Sequence, residues 1–175
     1  MAKVLKKEFF NRDTATVAQE LLGKFLVRKI GRKEFAAMVT ETEAYDGPHD
    51  LASHAFKGKT KRTEIMFGQP GNFYVYLVYG MHYMLNAVTR EKDYPAAVLI
   101  RGVKGINGPG RVTKRLKIDK RFNNKPANKK VGLWIESASW RSGIKINKRA
   151  IKRLPRVGVD YSGLWAKKPL RFLLK

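Results

Sequence analysis

Residues 40–54 gather an unusual number of side chains that can donate or accept protons. The stretch holds four of the 14 acidic residues, two of the three histidines and a tyrosine. Successive side chains of a strand point to opposite faces, so Glu41, Glu43 and Tyr45 are expected to share one face, with the carboxylates roughly 7 Å apart. Carboxylates at such a distance raise one another's pKa when they are shielded from water, which suits general acid or base catalysis. The alternative is an exposed strand face whose carboxylates pair with neighbouring lysines.

Aromatic and polar side chains also interrupt apolar segments further along the chain. Tyr74, Tyr76 and Tyr79 fall in one predicted strand, and Asn86 and Arg101 lie within other apolar runs. Structural roles are the alternative for all five, because strand tyrosines often serve packing and a buried amide or guanidinium needs partners. Beside a carboxylate in a basic protein, however, such residues indicate a base-stacking pocket within a phosphate-binding surface. A carboxylate there could activate water as a glycosidic bond develops oxocarbenium character.

The net charge of the chain is its strongest global signal. The sequence has 37 lysines and arginines against 14 acidic residues, a formal charge of +23 with neutral histidines. Such a charge repels itself in the folded state, which favours a polyanionic partner. A lysine-rich proteome, in a thermophile or an AT-rich genome, is the alternative origin. The length of 175 residues and the 43% hydrophobic content predict a single domain over residues 1–175 with a sizeable core.

Several classes of site are excluded by composition. The sequence contains no cysteine, so disulfides, thiolate metal sites and a cysteine nucleophile are impossible. The three histidines lack metal-ligand spacing, and we expect neither a metal site nor a cofactor. The first residues contain no apolar run typical of a signal peptide, and no segment approaches the roughly 18 apolar residues of a membrane span. The sequence therefore predicts a cytoplasmic protein without a membrane partner.

The elements that must position these residues are short. Asp13 or Thr14 can cap a helix that ends at Gly23 and carries Val17, Ala18, Leu21 and Leu22 on one face. Residues 24–30 and 34–45 are expected to form a hairpin that carries Glu43 on its second arm. The remaining predictions are helical turns at 51–56 and 60–66, strands at 72–79, 83–89 and 96–103, a helix at 108–117, and strands at 131–136, 156–160 and 170–174.

The predicted elements add up to one fold class. Residues 119–130 are polar, basic and rich in asparagine, so they are expected to form a surface loop or short ordered excursion outside the core. There is no internal repeat and no convincing linker. We therefore expect an α+β single domain with a curved antiparallel β-sheet, open like part of a barrel and flanked by short helices.

Motifs along almost the whole chain resemble those of the alkyladenine, or 3-methyladenine, DNA glycosylase family. Because they occur in the family's order, they are far more specific together than singly. They are Val-Thr-Glu-Thr-Glu-Ala-Tyr at 39–45, Ser-His at 53–54, Met-Phe-Gly-Gln-Pro-Gly-Asn-Phe-Tyr-Val-Tyr-Leu-Val-Tyr-Gly-Met-His at 66–82, Ala-Ala-Val-Leu-Ile-Arg at 96–101, Gly-Pro-Gly-Arg-Val-Thr-Lys at 108–114, Pro-Arg-Val-Gly-Val-Asp-Tyr-Ser-Gly-Leu-Trp-Ala at 155–166 and Lys-Pro-Leu-Arg-Phe at 168–172.

The resemblance implies a monofunctional base-excision repair enzyme that flips damaged purines out of duplex DNA and hydrolyses their N-glycosidic bond. Its expected substrates are 3-methyladenine, 7-methylguanine, hypoxanthine and ethenoadenine, and its product is an abasic site. By this resemblance Glu43, not Glu41, is the general base that activates water, and Arg101 positions that water. Glu41 is expected to have either a structural role or an electrostatic one, in which it would help to set the pKa of Glu43.

The resemblance also implies how the base is held. Tyr45 and His54 on one side and Tyr76 on the other would sandwich the flipped base, while a backbone group of His54 reads its edge. Asn86 would lie against the purine and disfavour the 2-amino group of normal guanine. Stacking would favour electron-poor alkylated purines, because a cationic ring is attracted to aromatic faces.

The remaining implied contacts are with the DNA duplex. Tyr79 would be the wedge inserted through the minor groove into the vacated stack, and Met81 beside it would press on neighbouring bases. Arg62, Arg111 and Lys114 are expected phosphate contacts. Arg62 lies in a Thr-Lys-Arg-Thr run where many relatives carry a run like Thr-Pro-Arg-Asn.

Two alternatives to this enzyme stay open at the level of sequence. A bifunctional glycosylase would use one of the many lysines as an amine nucleophile and cleave the strand. A non-catalytic nucleic-acid-binding protein, such as an RNA or ribosome partner, would explain the charge of +23 and bind in a steeply salt-dependent way. It gives no reason for the aromatic and carboxylate residues to converge. A monomer associated with the nucleoid is the expected state, since sliding on DNA through one basic face needs no second copy.

Overall fold

One curled antiparallel sheet forms the frame of the protein. The computed structural model describes residues 3–137 and 147–175. The strands in these ranges are β1 (Phe25–Ile30), β2 (Lys33–Asp46), β3 (Phe73–Val78), β4 (His82–Val88), β5 (Ala96–Val103), β6 (Ile106–Asn107), β7 (Leu133–Glu136), β8 (Ile151–Leu154) and β9 (Arg171–Leu174). They lie in the order β3, β4, β5, β2, β1, β7, with β6 attached to β5, and with β9 joining β8 to β2.

The helices are short and lie around this sheet. They are α1 (Lys7–Phe10), α2 (Thr14–Leu21) and α3 (Pro109–Arg115), with 3-10 turns at His54–Lys57, Glu64–Phe67, Lys120–Phe122, Lys148–Ala150 and Asp160–Lys167. None of the helices in the described ranges is long and apolar enough to cross a membrane. The α+β fold with a curved, open-barrel-like antiparallel sheet, predicted from the sequence, is confirmed.

Helix α2 forms where its capping residue and apolar spacing predict it. The Asp13 carboxylate accepts a 2.8 Å hydrogen bond from the amide of Thr16, which satisfies a backbone donor of the first turn. Val17 and Leu21 are fully buried on the side that packs against β2. The chain leaves the helix through Gly23, whose φ of +78° favours glycine.

The two faces of strand β2 have different surroundings: one packs on the core, and the other carries the side chains of the acidic stretch. On one face the Thr42 hydroxyl donates to the carbonyl of Ala18 in α2 at 2.8 Å. By alternation Glu41, Glu43 and Tyr45 project from the other face. Around these residues β2 is central in the sheet, since β5 pairs with one edge and β9 with the other.

The pairing of β2 with β5 contains two irregularities that offset each other. Glu41 lies opposite Gly102, and the register shifts on both sides of this pair, so that Thr40 and Arg101 have no residue directly opposite in the other strand. A Cβ at Gly102 would lie 3.1 Å from the Cβ of Glu41, so only glycine fits this approach without displacement. Bulges redirect side chains, and here Arg101 emerges beside the two glutamates.

Residues 119–130 contribute to the core, so the expectation that they lie outside it is wrong. Phe122 and Ala127 are only 5% and 8% exposed and pack within the main apolar cluster. The guanidinium of Arg28 lies 4.5 Å from the centroid of the Phe122 ring. The polar composition of the segment conceals these two apolar anchors, which occupy single positions between Arg121 and Asn123 and between Pro126 and Asn128.

The strand predicted at 156–160 is also wrong. The strand in this region is β8, which ends at Leu154 and pairs with β9. Pro155 follows it and lacks the amide hydrogen that a continuing strand needs, and Gly158 has a φ of +74°. Instead of alternating along a strand, Arg156 turns inward and is almost completely buried.

Candidate active site

A cavity of about 240 Å³ opens on the face of the sheet that carries Glu43. Strands β2 to β5 line it together with parts of residues 52–54 and 157–161. Seven of the residues predicted from the sequence are in its lining: Glu43, Tyr45, His54, Tyr76, Tyr79, Asn86 and Arg101. The other four predicted site residues lie outside it: Arg62, Met81, Arg111 and Lys114. Within the described ranges, no group of three or more histidine, aspartate or glutamate side chains could hold a metal ion.

Glu43 is fully buried and is held by donors from three directions. Its Oε1 accepts a hydrogen bond from the amide of Val157 at 2.8 Å, and its Oε2 accepts one from the hydroxyl of Tyr45 at 2.8 Å. Arg101 Nη1 lies 3.5 Å from Oε1. Burial raises the pKa of the Glu43 carboxyl, while these three groups act against the rise by stabilising the charged form. A fixed carboxylate with a raised pKa is suited to accept a proton.

Replacing Glu43 by glutamine should stabilise the fold at neutral pH. Because its folded pKa is raised, Glu43 costs stability as the pH rises above the unfolded value of 4.5, and the loss is complete above the folded pKa. Glutamine removes the buried charge, for an expected gain of about 1 kcal/mol, the usual size of a stabilising substitution. Thermal melts between pH 4.5 and 8 would test this. The gain should shrink toward the acid end, and a variant that melts lower at pH 8 would contradict the expectation.

Arg101 bridges the two glutamates of β2. Its Nε lies 3.2 Å from Oε1 of Glu41, and its Nη1 faces Glu43. The same oxygen of Glu41 accepts a 3.1 Å hydrogen bond from Arg171 Nη1 in β9. The glutamates share one face as the alternation predicted, but both are buried and paired with arginines, so the exposed, lysine-paired alternative is wrong. The negative charge of Glu41 also adds, as the smallest cause, to the raised pKa of Glu43.

Aromatic rings form the walls of the cavity. The ring centroids of Tyr74 and Tyr76 are 5.1 Å apart. The His54 ring packs edge-on against Tyr76, with centroids 4.6 Å apart, and its Nδ1 lies 3.2 Å from the hydroxyl of Tyr74. The predicted sandwich places His54 and Tyr76 on opposite sides of a base. Since the two rings are in contact, a purine can enter between them only if they separate.

The rings of Tyr45, His54 and Tyr76 are uncharged at neutral pH. Burial, aided by the nearby charge of Arg62, lowers the pKa of His54 to about 4. Burial also raises the pKa of Tyr76 and that of Tyr45, where the negative charge of the neighbouring Glu43 acts in the same direction. A neutral imidazole does not repel a cationic ring, and neutral phenols present electron-rich faces to it. The walls are therefore compatible with an alkylated, positively charged base.

Asn86 is held in one orientation inside this wall. It is buried in β4, opposite Tyr74 of β3 and Leu99 of β5. Its side-chain amide nitrogen donates to the carbonyl of Tyr74 at 3.1 Å. A buried polar group whose orientation is fixed can discriminate between ligands that differ in one hydrogen-bonding group.

The basic residues predicted to contact phosphates lie outside the cavity lining. The Arg62 guanidinium carbon is 5.2 Å from the centroid of Tyr76, so this side chain stacks on the aromatic wall. Its charge also opposes the rise that burial causes in the pKa of Tyr74. Arg111 and Lys114 are exposed on α3, three positions apart and therefore on one side of the helix. Exposed cations in such positions can neutralise a nucleic-acid backbone.

Tyr79 and Met81 project from the turn between β3 and β4. They are 89% and 70% exposed, which is unusual for side chains of this size. Tyr79 adopts a φ of +52° and Gly80 a φ of +67°, the left-handed pair of a tight hairpin turn. The left-handed region is strained for tyrosine, and strain of this kind concentrates at functional sites. Tyr79 also reaches the cavity lining, whereas Met81 does not.

Several residues that complete the site were not singled out from the sequence. Val157 binds Glu43, Arg171 binds Glu41, and Arg156 forms a buried ion pair with Asp50. Tyr161 lines the cavity and is 73% exposed. The motif at 155–166 contains three of these residues and the acidic stretch at 40–54 contains Asp50, but no sequence signal pairs one with another.

Comparison with known proteins gives matches over nearly the full chain. A family model described as "Methylpurine-DNA glycosylase" matches residues 8–108 and 104–175. A protein of Myxococcus xanthus named "Putative 3-methyladenine DNA glycosylase" is 42% identical over 180 residues, which cover 98% of this chain and 90% of that protein. A protein of the same name from Legionella pneumophila strain Corby is 42% identical over 178 residues, with 98% and 94% covered. One from Methanocella arvoryzae is 40% identical over 192 residues, with 97% and 91% covered.

Proposed function

The chain belongs to the methylpurine-DNA glycosylase family and is a DNA glycosylase, a hydrolase of N-glycosyl bonds, and on this premise we propose that it excises alkylated or deaminated purines in base-excision repair. The proposed substrates are 3-methyladenine, 7-methylguanine, hypoxanthine and ethenoadenine in double-stranded DNA. A monomer flips the damaged nucleotide into the cavity that Glu43 lines. Water activated by Glu43 then displaces the base and leaves an abasic site.

The placement of Glu43 is the observation that carries this proposal. As the bond to the base breaks, the sugar gains oxocarbenium character and attracts water as a nucleophile. A buried carboxylate in an aromatic cavity can accept the proton of that water and stabilise the positive sugar. Arg101 Nη1, 3.5 Å from Glu43 Oε1, is suited to donate a hydrogen bond to the same water and hold it beside the carboxylate.

Recognition of the base is assigned to the walls of the cavity. Tyr45, His54 and Tyr76 stack on the flipped purine, and a backbone group of His54 reads its edge. Because these rings are uncharged, they favour the cationic rings of alkylated purines without repulsion. Asn86, held by the Tyr74 carbonyl, excludes the 2-amino group of normal guanine. Arg62, Arg111 and Lys114 contact phosphates, and Met81 presses on the bases beside the gap.

The residues that line the cavity do not favour an amine nucleophile. In the described part of the chain no lysine is among the residues that line it. A lysine-dependent lyase would need an amine within reach of the sugar carbon. Borohydride trapping should therefore give no covalent adduct with DNA. A trapped adduct would contradict the water mechanism and support the bifunctional alternative.

Release of free base is the direct test of the proposed function. The protein would be incubated with duplexes that each carry one of the four lesions, and with an undamaged duplex of the same sequence. We expect free base and abasic sites in equal amounts from damaged duplexes, and neither from the control. Tight binding without release from any lesion would contradict the proposal and favour the non-catalytic nucleic-acid-binding alternative.

Tyr79→Ala should slow excision from paired duplexes by about 10- to 100-fold, the range that loss of one base-aromatic stack supports. The tyrosine is proposed to fill the gap left by the flipped nucleotide, which alanine cannot fill. Single-turnover excision would be measured with the lesion in a normal duplex and in an unpaired bubble. The loss should be smaller in the bubble, because less stacking has to be replaced.

A matched variant isolates the role of the tyrosine ring. Phe35→Ala removes another exposed ring, 44% accessible, from the start of β2 and outside the cavity lining. It should excise at the normal rate. Equal rates for Tyr79→Ala and the unsubstituted protein in both substrates would refute the wedge assignment.

A further inference from the structure

A buried ion pair lies behind the wall of the cavity. The side chains of Arg156 and Asp50 are both fully buried. Arg156 Nη2 donates to Asp50 Oδ1 at 2.8 Å, and its Nη1 donates to Oδ2. The Asp50 carboxylate also accepts the amides of Ala52 at 3.0 Å and Asp46 at 3.2 Å. The pair therefore fixes both ends of the loop that follows β2.

The same guanidinium contacts the strand that carries Glu43. Arg156 Nη1 donates to the carbonyl of Ala44 at 2.9 Å, between Glu43 and Tyr45. Its guanidinium carbon lies 4.7 Å from the centroid of the Tyr45 ring. The next residue in the chain, Val157, donates its amide to Glu43 Oε1 at 2.8 Å. One side chain thus supports the ring of Tyr45 and the segment that binds Glu43.

Fold stability alone gives a weak reason for such a pair. A buried ion pair loses its hydration, and well-packed apolar residues of similar volume often stabilise a protein equally or better. Apolar residues cannot, however, make the directional hydrogen bonds that Arg156 makes to Ala44 and Asp50. Arg156 is also not among the residues that line the cavity, so it acts from behind the wall.

We propose that Arg156, with Asp50, is a positioning residue that holds Glu43 and Tyr45 in their reactive arrangement. The proposal rests on the proposed glycosylase function of the cavity and names residues that act through others. A displacement of about 1 Å at a reacting group can reduce a rate by about 100-fold. Loss of the guanidinium should therefore reduce the rate of excision without removing any group that contacts the base.

A second effect should separate positioning from a structural role. The Val157 amide helps to hold down the pKa of Glu43, together with Arg101 and Tyr45, against burial and the charge of Glu41. If Val157 is released, the carboxyl stays protonated to higher pH. The acid limb of the pH profile of the excision rate should then move to higher pH, and the plateau of that profile should be lower.

The test uses two variants of the full chain and a matched control. The double variant Asp50→Leu/Arg156→Met removes both charges and leaves none unpaired, and Arg156→Lys keeps the charge without the planar fork. Arg153→Lys makes the same change at an exposed arginine that contacts Gln19 at 2.8 Å. For each, the melting temperature, the single-turnover excision rate from pH 5 to 9, and the affinity for an abasic-site duplex would be measured.

We expect the double variant to fold, to bind abasic DNA normally, and to excise about 100-fold more slowly, as a misplaced reacting group would. Arg156→Lys should show a smaller loss with the same shift of the acid limb, and Arg153→Lys should show neither. A folded double variant with a normal rate and pH profile would overturn the proposal, as would loss of folding in both Arg156 variants. No release by the unsubstituted protein would instead contradict the proposed function.

Discussion

Glu43→Gln should reduce base release by about 1,000-fold, within the range that a general base contributes to a hydrolysis. Glutamine keeps the volume of the side chain and an oxygen that can accept the Val157 amide, now 2.8 Å from Oε1, but it cannot take a proton from water. Single-turnover excision from the best lesion duplex would be measured at pH 7.5. Affinity for the same duplex, measured by fluorescence anisotropy, should change little because the aromatic walls stay in place.

Two further substitutions identify which carboxylate is the base. Glu64→Gln makes the same chemical change at an exposed position and should have no effect. Glu41→Gln should cause a smaller loss of excision rate than Glu43→Gln. Glu41 is 8% exposed and lies beside the cavity, where it pairs with Arg101 and Arg171, so it affects the reaction only through these arginines. A greater loss in Glu41→Gln than in Glu43→Gln would reverse the assignment. Normal base release by both variants would show that neither glutamate is the general base.

Arg101→Met should lower the excision rate by at least about 100-fold, the effect of losing one preorganised donor in an active site. It should also change the pH profile. Arg101 is the largest of the groups that hold down the pKa of Glu43, so its loss lets burial raise that pKa further. Since the base must be deprotonated, the acid limb should move to higher pH. The rate would be measured from pH 5 to 9 under single-turnover conditions.

Controls for Arg101 distinguish its charge from its shape. Arg101→Lys keeps a positive charge near Glu43 and should leave the acid limb close to its normal position, while the plateau falls because a single ammonium cannot span both glutamates. Arg12→Met removes a guanidinium from an exposed pair with Glu20, 2.8 Å away, and should leave rate and profile unchanged. A normal acid limb in Arg101→Met would contradict the proposed coupling.

Local signals were sufficient for the parts of the molecule that depend on neighbours in sequence. The cap at Asp13 and the spacing of Val17 and Leu21 predicted α2, which the structure confirms. Alternation along β2 placed Glu41 and Glu43 on one face, and both contact Arg101. These predictions succeeded because helix and strand periods are properties of the backbone itself.

The rest of the site depends on distant contacts that no local pattern encodes. The Arg156 and Asp50 side chains are 106 positions apart in the chain, and neither apolar spacing nor charge pattern relates them. The strand predicted at 156–160 does not form, because Pro155 and the contacts of the buried Arg156 guanidinium impose an irregular path. The paired bulges beside Gly102 are likewise a matter of register between two strands. Tertiary partners decided each of these outcomes over local propensity.

The order in which the chain is made has a consequence for when it can act. Arg171 reaches Glu41 across 130 positions, and Val157 reaches Glu43 across 114. Strands β1 to β5, which carry Glu43, Arg101 and the aromatic walls, leave the ribosome well before these partners, and pairing between distant segments is slow to form. A growing chain can therefore acquire the walls of the cavity before the groups that hold its carboxylates. On the proposed mechanism, a growing chain therefore reaches hydrolytic competence only after Val157 and Arg171 have been synthesised.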